Sequence, residues 1–439
     1  MRSKIMQALL VYLLLLLAGC GSSVSSQAPP LVFPTQVQGP SGPAPLSLYF
    51  ATTSSGASPT STIISLDASN GKQRWTYTIP VQVQDDVFLD SGVLYFGTAD
   101  QKVYALDAGG GRVRWSVKMS NFPVIAQVMD GVIYGTLVAN VSDQFNGGTV
   151  FALNASNGTI KWHSQVAGTI LGIVDGVIYV GGSTDNTLYT LNASDGSLRW
   201  KFQMDARPFE ADVEQGVVYA LATILNSPSP FTIIYALDAS TGTSKWRYPA
   251  DSHTQQNASL IGADANAVYL TSSTDQNPFR TNLALALKAS NGSVLWRYQL
   301  TTQSHSFGTS ALNNGMVYLG ADDGNLYALD ASDGKQRWQT KAGNSFISIS
   351  LIDDRNIYVS LLQEGLAVFD SSSGSMRWHY QSTSSVQAVA VQNGLLYAVT
   401  FASSFSSGAH NYAIAFNIAD GTIFWKYDGG ETSFFPTIG

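Results

Sequence analysis

Cysteine is almost absent. The 439-residue chain has one, Cys20, so no internal disulfide can form, and a secreted body of this size does not need one. Charge is scarce too: Asp, Glu, Lys and Arg make up 12% of the chain, about half the usual share for a soluble domain. The net charge is −7 and no long Lys/Arg run occurs, so nothing favours nucleic acid or anionic headgroups through charge. Long apolar runs are missing as well: the one from about Ala8 to Leu17 is too short to span a bilayer. There is no G-x-S-x-G elbow and no phosphate-binding loop. The five histidines, His163, His253, His305, His379 and His410, contain no i, i+4 pair of the kind that grips a metal.

The N-terminus is separable. Arg2 and Lys4 precede the apolar run, which stops at small residues, as in a secretory signal. Leu17-Ala18-Gly19-Cys20 resembles a bacterial lipobox. Residues 1–19 then form a lipoprotein signal peptide, and Cys20 is acylated as the first mature residue, anchoring the chain outside the cytoplasmic membrane. A second, amide-linked acyl chain gives the anchor the methylenes that one weak chain lacks. Residues 20–45 are rich in Ser, Pro, Gly and Gln. That is tether composition, spanning about 25–30 Å on average. The body begins at residue 46.

What is abundant is repetition. LDASNGKQRW at 66–75 returns as LNASNGTIKW at 153–162, LNASDGSLRW at 191–200 and LDASDGKQRW at 329–338. All nine tryptophans occupy one place in the repeat: Trp75, Trp115, Trp162, Trp200, Trp246, Trp296, Trp338, Trp378 and Trp425. Four residues before each stands a glycine. Eight before stands Asp or Asn, except Lys288. Upstream lies an aliphatic residue followed by Tyr, from Tyr49 to Tyr397. A period of 38–50 residues built from short alternating segments means a propeller or a related array.

Residues 306–341 display one unit. SFGTSAL, MVYLGA, LYALDA and KQRWQT are strands separated by Asn313-Asn314-Gly315, Asp322-Asp323-Gly324-Asn325 and Ser332-Asp333-Gly334. Four antiparallel strands joined by Asx-Gly turns make a blade. Asp330 is placed to accept N–H bonds from its turn, and Gly334 to take positive φ. Lys288 cannot accept, so its turn is expected to be looser or to rely on Ser290 and Asn291. The Trp reads as a wedge between blades, docking its flat ring on small third-strand residues such as Ser65, Ala105 and Ala328.

The fold class is therefore all-β, a propeller of four-stranded antiparallel blades. Blade one begins with its second strand, and SFFPTIG (433–439) is left over as a first strand. The C-terminal strand is expected to complete the N-terminal blade, leaving no open edge. Nine motifs give nine blades. Eight requires one unit to be irregular or merged, with those of Lys288 and Asp370 the candidates.

The Asp-Ala-x-x-Gly-x-x-x-Trp pattern resembles the PQQ-like (pyrroloquinoline quinone) propeller repeat of quinoprotein dehydrogenases and of the BamB lipoproteins of outer-membrane barrel assembly. The resemblance covers residues 46–439 and implies two different roles. One is a non-enzymatic, lipid-anchored scaffold that binds a protein partner, monomeric, without cofactor. The alternative is a PQQ- and calcium-dependent dehydrogenase, which implies a calcium held by carboxylate and amide oxygens, a catalytic Asp and often two adjacent cysteines. Such a cysteine pair is absent here. The acidic pairs Asp85-Asp86, Asp322-Asp323 and Asp353-Asp354 fall at or near turns, where Asp serves the backbone. The triplets at Asn154, Asn192, Asn257 and Asn291 read as turn chemistry too. A third reading is a small-ligand or glycan sensor. No catalytic residue and no metal site is assigned.

The connection between second and third strands is long in blades one, three, five, six and nine. By up-and-down topology these connections share a face. They carry Phe145, Phe231, Phe279, Arg280 and Phe405. Loops on a rigid scaffold favour binding, and aromatics with Arg suit interface hot spots, so these five residues form the candidate partner face.

Overall fold

The computed structural model describes residues 46–438, apart from 55–58, 85, 141–146, 225–230, 249–256, 277–278, 301–306, 345, 402–409 and 431–435. Among the described residues every regular element is a strand and none is a helix. Each repeat forms one blade whose strands follow chain order, except that the last strand of the chain joins the first blade. By packing, one compact unit comprises 166–361 and 368–376, and a second takes the rest of the described chain.

The sheets resolve the blade number at nine. Seven are separate four-stranded sheets. The eighth has seven strands, because the strand Ile160–Val174 ends blade three and begins blade four. So the merging occurs at a continuous strand and not at the Lys288 or Asp370 units, both of which are regular four-stranded sheets. Asn157 and Gly158 turn the chain into this strand. No Asx-Gly turn interrupts it before Asp175-Gly176, where both residues have positive φ, so it runs on for 15 residues.

The C-terminal strand Pro436–Ile438 pairs antiparallel with Ser47–Thr53, matching Leu48 to Ile438, Tyr49 to Thr437 and Phe50 to Pro436. It supplies the missing first strand of the N-terminal blade, as expected. Blade interiors are apolar in the near-continuous runs that two-faced burial demands. In MVYLGA of blade seven, residues Val317 to Ala321 are all buried, whereas the outer strand QRWQTK alternates between exposed and half-buried.

The repeat Trp does wedge between blades, but on a different partner. Ser65, Ala105, Thr190, Ala236, Ala286 and Ala328 lie directly opposite Trp75, Trp115, Trp200, Trp246, Trp296 and Trp338 on the neighbouring strand of the same blade. The ring instead covers the turn of the following blade. The indole N–H of Trp75, Trp115, Trp200, Trp246 and Trp296 donates to the carbonyls of Ala108, Ala155, Ala239, Ala289 and Ala331 at 2.8–3.0 Å. Tyr49 and Tyr95 donate to two of the same carbonyls, Ala108 and Ala155, so one acceptor ties two aromatic side chains to the next blade. Trp338 departs from this, with its N–H buried and unpaired while Tyr318 takes the Ser371 carbonyl.

The turn chemistry is as read. Asp330 Oδ1 accepts from the Ser332 N–H at 2.9 Å and from its hydroxyl at 2.5 Å. Those bonds, with the Arg337 guanidinium on Oδ2, hold its carboxyl well below the usual range. The Lys288 turn is not looser: Gly292 N–H meets the Lys288 carbonyl at 2.8 Å, as in the other blades, and Asn291 accepts from Ser293.

Candidate functional site

The five residues of the predicted partner face have separate fates. Phe145 and Phe405 lie outside the described residues, as does Cys20. Phe231 is the first residue of the strand Phe231–Asp238, opposite Ile224, and is half-buried against the apolar cluster of Leu237, Tyr235 and Val218. Phe279 and Arg280 are not in a loop. Blade six extends its second and third strands to Ala267–Gln276 and Phe279–Lys288, pairing Arg280 with Asp275 and Phe279 with Gln276. Ser and Thr at 271–274 suit extended backbone, which converts the expected loop into a ten-residue hairpin.

The outer strands show where apolar surface is left open. The residue before each Trp is a cation in seven blades: Arg74, Arg114, Lys161, Arg199, Lys245, Arg337 and Arg377. Arg74, Arg114, Lys245 and Arg337 pair with the turn Asp of their own blade, Arg74 with Asp67 at 2.9 Å and Arg114 with Asp107 at 2.7 Å. Such charges keep an edge strand from pairing with another chain. Blades six and nine break the pattern with Leu295 and Phe424, and their turn positions hold Lys288 and Asn417 in place of Asp. Phe424 is 59% exposed and its neighbour Ile423 46%, an uncharged stretch at the start of an edge strand.

Titratable groups outside the turns are few. His163 is exposed, and His379 is exposed with Nε2 3.0 Å from the Glu364 carbonyl. Gln363, Glu364, His379, Gln381, Ser382 and Thr383 line a shallow polar depression of about 400 Å³. His410 Nδ1 sits 2.7 Å from the Asp428 carboxylate. Asp323 and Asp353 are spent on their own turns. Each accepts local backbone N–H bonds and a tyrosine hydroxyl, Tyr327 and Tyr358 respectively. Asp85, His253 and His305 lie outside the described residues.

Sequence reading missed one cluster. In the strand Pro208–Glu214, residues Glu210 and Asp212 are only 6% and 5% exposed. They are two apart with regular register between them, so both face the same neighbour. Glu210 Oε2 accepts from the Leu260 N–H of the next blade at 3.2 Å. Burial pushes the Glu210 carboxyl up to about 8, opposed by that N–H and assisted by the Asp212 charge. A signal existed. Opposite the repeat Tyr, the blades carry Thr437, Phe88, Gln127, Gly172, Gly262, Ala311, Leu351 and Ala390, and only blade five carries an acid, Asp212.

The dehydrogenase reading needs a site for calcium. Among the described residues no three His, Cys, Asp or Glu side chains converge to hold a metal. Of the acids that sequence offered, Asp323 and Asp353 are engaged by turn amides and tyrosine hydroxyls.

Fold and repeat chemistry thus define a β-propeller of PQQ-like repeats. More particularly, the chain belongs to the family described as outer membrane protein assembly factor BamB, whose profile matches residues 47–170, 146–307 and 280–432. A 119-residue segment is 29% identical to the quinoprotein alcohol dehydrogenase PedH of Pseudomonas putida strain KT2440, covering 23% of this chain and 19% of that enzyme. Among solved structures, the computationally designed protein Ika8 aligns with a TM-score of 0.51 at 12% identity, over 77% of this chain and 93% of its own. BamB from Moraxella catarrhalis aligns with a TM-score of 0.45 at 18% identity, over 71% of this chain and 87% of its own.

Proposed function

We propose that this protein is a non-enzymatic scaffold, held outside the cytoplasmic membrane by acylated Cys20 and presenting its propeller to a protein partner. The observation that carries the reading is the match to an assembly-factor family along nearly the whole body, residues 47–432. The chemistry of the repeat agrees with it. The residues repeated in every blade serve turns and blade contacts, and the outer strand of blade nine opens an apolar stretch at Ile423 and Phe424, the kind of surface that a partner covers.

Crosslinking the intact lipoprotein in its own membranes tests this. A discrete partner should be captured. Recovery should fall by more than about tenfold, the cost of losing one hot spot, in Phe424→Arg, which places there the cation that seven other blades carry, or in the double variant Phe279→Ser, Arg280→Ser. Equal recovery from wild type and both variants, with unchanged thermal unfolding, would count against a partner bound through these surfaces.

A second reading, a PQQ- and calcium-dependent dehydrogenase, draws on the 119-residue similarity to PedH. Calorimetric titration of the body, residues 46–439, with PQQ in the presence and absence of Ca²⁺ separates the two. The scaffold reading expects no heat. Calcium-dependent binding at micromolar concentration or below would replace it with the enzyme.

A further inference from the structure

We propose that Glu210 is a proton-operated latch across the seam between blades five and six: neutral, it holds the strand Asn257–Ala263; ionised, it lets that strand go.

The seam is apolar on either side of the acid. Leu221, Tyr219 and Trp246 of blade five pack with Leu260, Val268 and Leu270 of blade six in one cluster. Into it the strand Pro208–Glu214 projects two buried carboxyls. The charge that bears on Glu210 is that of Asp212; the half-buried Glu214 follows on the same strand, and Asp264, in the turn after Asn257–Ala263, acts on Glu214. Asp264 is already committed, accepting the N–H groups of Asn266 and Ala267 and the Tyr269 hydroxyl. Tyr219, on the adjoining strand, feels Glu214, Asp212 and Asp264 together. The nearest cation in the chain, Arg207, reaches across to the Thr169 hydroxyl at 3.1 Å. Among the described residues no cation pairs with Glu210. A single backbone N–H at 3.2 Å is a poor match for a full charge taken out of water. The neutral acid fits this place, and the anion is repelled by its own neighbours.

The direction of the effect follows from linkage. The folded carboxyl titrates near 8 and the opened one near 4.5. Below the lower value both forms hold the proton and the seam is tightest. As pH rises between the two values, opening releases a proton and becomes easier by up to tenfold per unit. Above the upper value the effect levels off.

Millisecond hydrogen exchange at the Leu260 amide and its neighbours in 258–263 reads this directly. After correction for intrinsic rates, wild-type protection should drop by about tenfold or more from pH 5 to pH 8 and then level off, while Glu210→Gln should stay flat and better protected at pH 8. Equal slopes in wild type and variant would overturn the latch. So would a flat wild-type profile, which needs no variant. Asp212→Asn supplies an independent arm: removing its charge should move the levelling point to lower pH, and an unmoved point overturns the proposal as well.

Discussion

Gly334→Ala should destabilise the protein by about 2–5 kcal/mol, far more than the chemically identical change at Gly315. Both glycines have positive φ, 69° and 72°. A left-handed alanine therefore costs about 1–2 kcal/mol at either position. Their surroundings differ. A methyl at Gly315 would meet nothing within 4 Å, whereas one at Gly334 would come within 2.5 Å of the Trp296 ring and 2.8 Å of its Cγ. The ring cannot retreat, because its N–H is fixed to the Ala331 carbonyl at 2.8 Å and Tyr269 packs against it at 6.1 Å between centroids. Overpacking of that kind adds about 1–3 kcal/mol. A double-mutant cycle isolates the clash. Trp296→Ala alone removes a buried ring, a loss of about 3–5 kcal/mol. In that background Gly334→Ala should cost only the left-handed penalty, so the two losses should fall short of additivity. Denaturant unfolding of the four proteins measures it. Strict additivity, or equal losses at Gly334 and Gly315, would mean that the glycine answers only to the turn.

That distinction marks how far sequence could reach. Local chemistry was legible because it is written within ten residues: the Asx acceptor, the positive-φ glycine, the alternation that makes four strands, and the period that makes nine blades. The closing strand was legible as well, since a blade that starts at its second strand needs a first strand from elsewhere. What lies between blades was harder to see. The glycine four residues before each Trp looked like a turn requirement. Its second duty, giving room to a ring from the preceding blade, depends on a residue some forty positions away, as Gly111 depends on Trp75 and Gly374 on Trp338. Likewise Ala328 looked like the floor beneath an incoming Trp and proved to be the cross-strand neighbour of its own. Small residues are wanted at both places, so composition could not separate them. The candidate face suffered for another reason. Length between strands was read as loop, yet in blade six the added residues continue the hairpin to Gln276 and Phe279. Glu210 and Asp212 were passed over because acids were sought in pairs and at turns. The informative pattern was an acid inside a strand, at a position that stays uncharged in every other blade.

Stopping the chain after residue 435 should loosen the N-terminal blade specifically. The strand Pro436–Ile438 is only three residues long, but it covers Ser47–Thr53, whose Leu48 and Phe50 are 1% and 0% exposed. Ile438 belongs to the same apolar cluster as those two residues, Ile64, Leu66, Val399 and Trp425. Removing it withdraws one buried aliphatic side chain, about 1.5–3 kcal/mol, and the ladder bonds of a short strand, about 1 kcal/mol each. A total near 3–5 kcal/mol would be concentrated where the strand was. The backbone of Leu48–Phe50 would then become a free sheet edge, the feature that invites pairing with other chains. Hydrogen exchange should therefore quicken first in Ser47–Thr53, before any change at Met316–Ala321 of blade seven, and the shortened protein should associate as its concentration rises. A synthetic peptide of residues 429–439, added in trans, should restore protection at Leu48–Phe50 by occupying the vacated edge. Rapid exchange spread evenly over all blades would point instead to a body that unfolds as one piece. Unchanged exchange at Leu48–Phe50 would show that three strands and the packing around Phe50 suffice, and that the terminal strand contributes little to holding the first blade.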